Sequence, residues 1–315
     1  MKNEDQTLSK DAAPVGRFAP TPSGSMHLGN AFCALLAYLS AKHGGGKFLL
    51  RIEDLDAERC PTKYADRIMR ELETLGLFWD GEVLWQSKRA EIYREAFERL
   101  RERERIYPCF CSRASLHAAE APHLSDGSVL YVGACRNLTE AEIAERSAVR
   151  KPAMRIRVPD LEISFRDGLR GAYRQNLQRE CGDFVLRRAD GVFAYQLAVV
   201  TDDALSGVTE VVRGEDLLSS TPRQIFLAER LGFRTPAYFH VPLLTDGAGR
   251  RLAKRDGDSL SLALERYGAR GVLGALACAA GILETPEPVS AQELVPLFDW
   301  RKVAEKCAQA PHVSL

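Results

Sequence analysis

The chain has 315 residues and a mass of 34.9 kDa, enough for one large or two modest domains with a self-supporting core. Lys plus Arg and Asp plus Glu each number 43, so the formal net charge is zero, which excludes a tail-like or histone-like nucleic-acid binder and leaves a local basic face open. Hydrophobic content of 45% and charged content of 27% are ordinary globular values, and no apolar run approaches the ~20 residues of a bilayer span, which argues against a disordered, fibrous or membrane-spanning chain.

Residues 1–14 are polar and lack the apolar stretch of a signal peptide, so a cytoplasmic protein with reduced thiols is expected. Residues 15–19 (VGRFA) are predicted as a strand, closed by the turn Pro20-Thr21-Pro22-Ser23-Gly24. Residues 27–43 are rich in Ala and Leu and predict a helix buried between layers, ending at the triple glycine 44–46. A β run at 47–52 follows and stops at Glu53-Asp54-Leu55-Asp56. Strand, helix and strand make a βαβ unit, hence a parallel sheet with a right-handed crossover. Charged amphipathic helices are predicted at 62–76 and 87–106. An irregular stretch, 108–136, and strands at 153–158, 162–166 and 183–188 then interrupt the α/β pattern and read as an insertion. The apolar run 192–200 is read as a strand opening the second α/β half. It is followed by a strand at 210–214, a helix at 221–231 with Pro222 early and Gly232 at its end, and a strand at 240–244. The chain is helical and short from 260 onward.

Three features carry chemistry. The first βα turn brings His27 and Gly29 to a helix start, where unpaired N–H groups and the macrodipole attract phosphate. The segment Arg250-Arg251-Leu252-Ala253-Lys254-Arg255 follows a Gly-rich loop and suits the phosphates of a nucleotide. Cys109 and Cys111 lie two apart, so on an extended segment both thiols face one side, and Cys135 is a third donor. A closed zinc site needs a fourth ligand, for which Tyr131, His117 and His123 are candidates, spacing alone favouring histidine. The remaining cysteines read as small apolar residues. Each feature also has a plain structural reading: a capping histidine, a solvated basic loop, unrelated thiols.

Taken together, Arg17 to Gly24, His27-Leu28-Gly29-Asn30, Arg51 to Asp56 and Arg251 to Arg255 resemble the motifs of the class I aminoacyl-tRNA synthetases specific for glutamate. The resemblance implies an α/β fold: a Rossmann-type catalytic domain with a parallel sheet, interrupted by a zinc-containing acceptor-binding insertion. The expected organisation is a leader 1–14, catalytic halves 15–108 and 191–259, an insertion 109–190, and a short helical C-terminal region 260–315. His27 matches the first histidine of the HIGH signature and Lys254 the second lysine of KMSKS, both as catalytic residues, with Gly29, Asn30 and Arg251 also on ATP. Asn30 replaces the second histidine, Arg251 a lysine and Ala253 a serine. Arg17, Phe18, Ala19, Pro20, Thr21, Glu53, Tyr195 and Arg213 match glutamate-contacting positions. Charge agrees, since a ligand with two carboxylates and an ammonium needs guanidinium and carboxylate partners.

The compact Cys-x-Cys and Tyr-x-x-x-Cys pattern is similar to a branch of the family in which Cys109, Cys111, Tyr131 and Cys135 would hold one structural zinc. About 55 residues after the basic loop leave no room for the usual anticodon-binding region. That branch implies ATP with Mg²⁺, L-glutamate and queuosine-containing tRNA(Asp) as partners, with glutamate passed to the queuosine base at the first anticodon position, activation without tRNA, and a monomer. The rival readings are a shortened synthetase charging a tRNA 3′ end, a nucleotidyltransferase, and a non-catalytic zinc RNA-binding module.

Overall fold

The computed structural model describes residues 13–56, 58–112, 130–131, 133–245 and 259–308. Strands β1 (Val15–Phe18), β2 (Lys47–Ile52) and β3 (Leu84–Trp85) pair in parallel in that spatial order. Helix α1 (Leu28–His43) makes the crossover from β1 to β2 and is buried on most faces, as its run of Ala and Leu requires. Helices α2 (Thr62–Thr74) and α3 (Ala90–Arg103) follow, the latter after a short 3-10 turn at Gln86–Lys88.

The second half begins differently from the sequence expectation. The apolar run after Gly191 is not a strand; it opens α5 (Tyr195–Leu205). Apolar runs of this length suit a buried helix as well as a strand. Buried residues on successive positions Leu197 to Asp203 show a helix enclosed on nearly all sides, with Asp202 taken up by Arg89, Gln86 and Tyr93. Strand β9 (Glu210–Gly214) pairs in parallel with β10 (Ala237–Val241), joined through α6 (Thr221–Leu231), whose left-handed Gly232 ends it. The β9 edge lies beside β1, where Thr209 N–H donates to Val15 C=O at 2.9 Å.

Between the halves, β4 (Ile106–Cys109), β5 (Ala153–Ile156) and β8 (Phe184–Arg187) form an antiparallel sheet, and β6 (Glu162–Asp167) and β7 (Gly171–Asn176) a hairpin. Strand β7 and helix α4 (Glu140–Val149) were not anticipated, although Thr139 and Glu142 form a reciprocal capping box legible in the sequence. Helices α7 (Leu260–Ala279, broken at Gly268), α8 (Ala291–Leu294) and α9 (Trp300–Cys307) are not a loose extension. Val272, Leu276, Leu294 and Val303 share one apolar core with α1 and β2. Among the described residues no helix is long and apolar enough to cross a membrane.

Candidate active site

The Pro20–Gly24 turn carries the chain from the end of β1 to His27, the N-cap of α1. Asn30 Oδ1 accepts the His27 backbone N–H at 3.2 Å and so closes the first turn. Its carbonyl oxygen is therefore spent on the cap. Gly29 permits the His27 ring to fold over the helix start, since a Cβ there would stand 2.9 Å from the imidazole. Met26 C=O accepts Leu260 N–H at 3.0 Å, and Ser259 forms a bridge with His27, so the start of α7 lies beside the α1 N-cap. Arg251 and Lys254 themselves lie outside the described residues.

A cavity of about 490 Å³ opens over the carboxyl ends of β1, β2 and β9. Arg17, Phe18, Ala19, Pro20, Thr21, His27, Gly29, Asn30, Glu53, Tyr195 and Arg213 all line it. The structure thus brings together every described residue that the sequence singled out for glutamate or ATP. Ser23, Cys33, Gly214, Asp216 and Pro242 to Leu244 also line it and had not been singled out. For Gly214 and Asp216, position at the carboxyl end of the strand expected at 210–214 was the available signal, because ligands of open α/β sheets bind there. Pro242 to Leu244 were expected inside a strand at 240–244, whereas β10 ends at Val241.

The floor is a buried charge network. Arg17 Nε donates to Asp203 Oδ1 at 3.2 Å and Nη1 to Val212 C=O at 3.3 Å. Arg51 donates to the same Asp203 oxygen at 2.5 Å and, through Nη2, to Glu53 Oε1 at 3.3 Å. Burial raises the Asp203 carboxyl, but Arg17 and Arg51 outweigh it and hold the group below the usual aspartate range. Glu53 goes the other way: burial lifts it above its ordinary value despite the pull of Arg51 and Arg17. A buried carboxylate so placed is matched by an incoming ammonium. Tyr195 starts α5 and stays a neutral phenol, its pKa raised by burial and then by Glu53. Arg213 donates from Nε to His240 Nε2 at 3.0 Å, from Nη1 to Gln224 at 2.8 Å and from Nη2 to Thr221 Oγ1 at 2.8 Å. Cys33 is pushed up to about 12 by burial, so it is a thiol and no nucleophile.

Residues 15–297 match the catalytic domain of the class I (E and Q) tRNA synthetases. The glutamyl-Q tRNA(Asp) synthetase of Symbiobacterium thermophilum is 48% identical over 309 residues, which cover 94% of this chain and 95% of the relative. That of Thiobacillus denitrificans is 50% identical over 244 residues, 78% of each chain. The chain belongs to the glutamyl-Q tRNA(Asp) synthetase family. It is a ligase-type synthetase, which sets aside the nucleotidyltransferase and the non-catalytic RNA-binding readings. The fold is similar to the glutamate tRNA ligase of Elizabethkingia meningosepticum, solved in complex with its amino acid, with TM-score 0.82 and 29% identity, covering 96% of this chain and 67% of that one.

The second site of this synthetase lies in the insertion. The Sγ atoms of Cys109, Cys111 and Cys135 lie within 4.8 Å of one another. Cys111 and Cys135 are 3.7 Å apart, and Cys109 Sγ is 3.6 Å from Tyr131 Oη. Tetrahedral zinc with Zn–S near 2.3 Å requires sulfur pairs about 3.8 Å apart, so this donor set fits the ion. Cys135 N–H donates to Tyr131 Oη at 2.7 Å, and the Arg155 guanidinium lies 4.0 Å over the Tyr131 ring, both favourable to an oxygen carrying negative charge. Burial and the adjacent thiols push Cys111 up to about 12, a crowding of donors that a cation relieves. Gly182, at φ +67°, lets the Tyr131 backbone through: a Cβ there would stand 2.7 Å from Tyr131 C=O. His117 and His123 lie outside the described residues.

Proposed function

We propose that this chain activates L-glutamate with ATP, without requiring tRNA, and transfers it to the queuosine base at the first anticodon position of tRNA(Asp). The observation that carries the reading is one cavity in which two arginines and a buried carboxylate meet a helix N-terminus bearing histidine. In this reading Glu53 takes the substrate ammonium, while Arg17 and Arg213 take its carboxylates and Tyr195 its polar edge. His27 and the α1 N-terminus bind the phosphates of ATP, which enters as its Mg²⁺ complex, and Lys254 and Arg251 of the basic segment neutralise them. An oxygen of the glutamate α-carboxylate attacks the α-phosphorus in line, and pyrophosphate leaves. A hydroxyl of the queuosine cyclopentenediol then attacks the acyl carbon, its proton departs, and AMP is released.

The insertion, residues 109–190, presents the RNA-facing side, with Cys109, Cys111, Tyr131 and Cys135 holding a zinc that would tie 106–112 to 130–136 and give the insertion its rigidity. The halves 15–108 and 191–259 make the catalytic domain, and 260–315 completes its core. The same reading places a monomer in the cytoplasm with its tRNA. Similarity to relatives named for tRNA(Asp) and to a structure holding its amino acid supports it.

The test is transfer of labelled glutamate to tRNA(Asp) with and without queuosine, followed by localisation of the label, and ATP–pyrophosphate exchange without RNA. Labelling only of queuosine-bearing tRNA, at the anticodon, is expected. Label at the 3′ end, or exchange that requires tRNA, would overturn it.

A further inference from the structure

The hairpin β6–β7 belongs to the insertion, yet its tip bonds to β10 and to Glu215, behind the Arg213 that lines the amino-acid pocket. Gly168 N–H donates to Tyr238 C=O at 2.8 Å, Arg170 Nε to His240 C=O at 3.2 Å, and Arg170 pairs with Glu215 at 2.5 Å. Asp167 and His240 are fully buried, and His240 Nδ1 lies 2.6 Å from Asp167 Oδ2. Asp167 Oδ1 also accepts the backbone N–H groups of Leu169 and Arg170 at 3.0 and 2.9 Å, and both of its oxygens accept that of His240 at 3.2 Å. On its other side, His240 Nε2 takes the Arg213 Nε–H at 3.0 Å.

These contacts fix the imidazole tautomer. Arginine donates only, so Nε2 must present its lone pair, and the ring proton sits on Nδ1, directed at the Asp167 carboxylate. The result is a chain, carboxylate to imidazole to guanidinium, running from the insertion hairpin through β10 to β9. We infer that Asp167 and His240 are positioning residues for substrate selection: they hold the Arg213 guanidinium at the angle at which it meets a carboxylate of the amino acid, so the pocket's preference for a dicarboxylic substrate depends on a hairpin of the insertion. This rests on the reading that Arg213 contacts glutamate.

Side-chain geometry supplies the test. Asparagine at 240 places its amide near the Nδ1 position and loses the acceptor for Arg213; glutamine places a carbonyl oxygen near Nε2 and keeps it. Exchange kinetics at saturating ATP, run with and without tRNA(Asp), should show the glutamate KM of His240→Asn raised by about 10-fold or more, the cost of losing a bond to a charged donor. The kcat and the KM for ATP should change by less than about threefold, His240→Gln should recover most of the loss, and Asp167→Asn should fall between. Arg213→Lys is the control for the underlying reading. If Arg213→Lys raises the glutamate KM and none of the Asp167 or His240 variants does, the positioning chain is wrong and the site reading stands. If Arg213→Lys leaves that KM unchanged, the site reading itself fails. Equal loss in kcat and both KM values for His240→Asn and His240→Gln, together with a lowered melting temperature, would reduce the chain to a structural role and overturn the inference.

Discussion

Asp203 takes hydrogen bonds from two arginines through a single oxygen while buried beneath the substrate cavity. Removing its charge leaves Arg17 and Arg51 facing each other in a medium of low dielectric, so Asp203→Asn should destabilise the fold by about 3–5 kcal/mol, measured by urea denaturation. The sign of the pH effect follows from its lowered pKa: the contribution is complete well above the ordinary aspartate value of 3.8 and is lost as pH falls through the lower folded value. Wild-type protein should therefore lose more stability than Asp203→Asn on acidification from neutral pH; equal losses would mean that the pair contributes nothing. That Arg17, Glu53 and Arg213 share one cavity was legible in the sequence, because each stands at the end of an apolar strand, where ligands of open α/β sheets bind. Asp203 was not, because its partners lie 186 and 152 residues away and local pattern carries no such pairing.

Elements were legible where strong stop signals bounded them. Strand β1, helix α1, strand β2 and helix α6 emerged close to their expected limits, since turn residues and glycine stops bound apolar runs at those places. Helix α5 was misread because its apolar opening has no decisive period and its polar continuation looks like a loop until Arg89, Gln86 and Tyr93 are seen to satisfy Asp202. In the insertion, the spacing of thiols was legible; spacing alone favoured histidine as a fourth donor, the family resemblance pointed to Tyr131, and Tyr131 Oη lies 3.6 Å from Cys109 Sγ where its segment crosses Gly182. That crossing predicts an effect without touching any donor. Gly182→Ala adds a Cβ 2.7 Å from Tyr131 C=O and forces a left-handed backbone on alanine, a strain of about 1–3 kcal/mol. Zinc release to a colorimetric chelator should be faster than in wild type, whereas Cys109→Ser should hold less than stoichiometric zinc. Release at the wild-type rate would show that the donors do not depend on this approach.

At the scale of the whole molecule the sequence suggested a catalytic core with helices appended, and packing gives a different account. Trp300 on α9 stacks on Phe239 of β10 with ring centroids 4.3 Å apart, meets Phe298 edge-on, and donates its indole N–H to Ser40 of α1 at 2.9 Å. Ser40 in turn bonds Glu210 at the start of β9. One indole thus links the last helix, the crossover helix and both strands of the second half, and Phe239 is a neighbour of His240 beneath the substrate pocket. Such contacts across long sequence separations predict one cooperative unit. Trp300→Ala should cost about 2–4 kcal/mol, less than a fully enclosed tryptophan because its ring is only partly covered, and should lower the melting temperature in a single calorimetric transition. Glutamate, if bound as proposed, should raise that same transition in both proteins. Two resolved transitions, with only one shifted by glutamate, would instead show that the final helices fold apart from the sheet they cover.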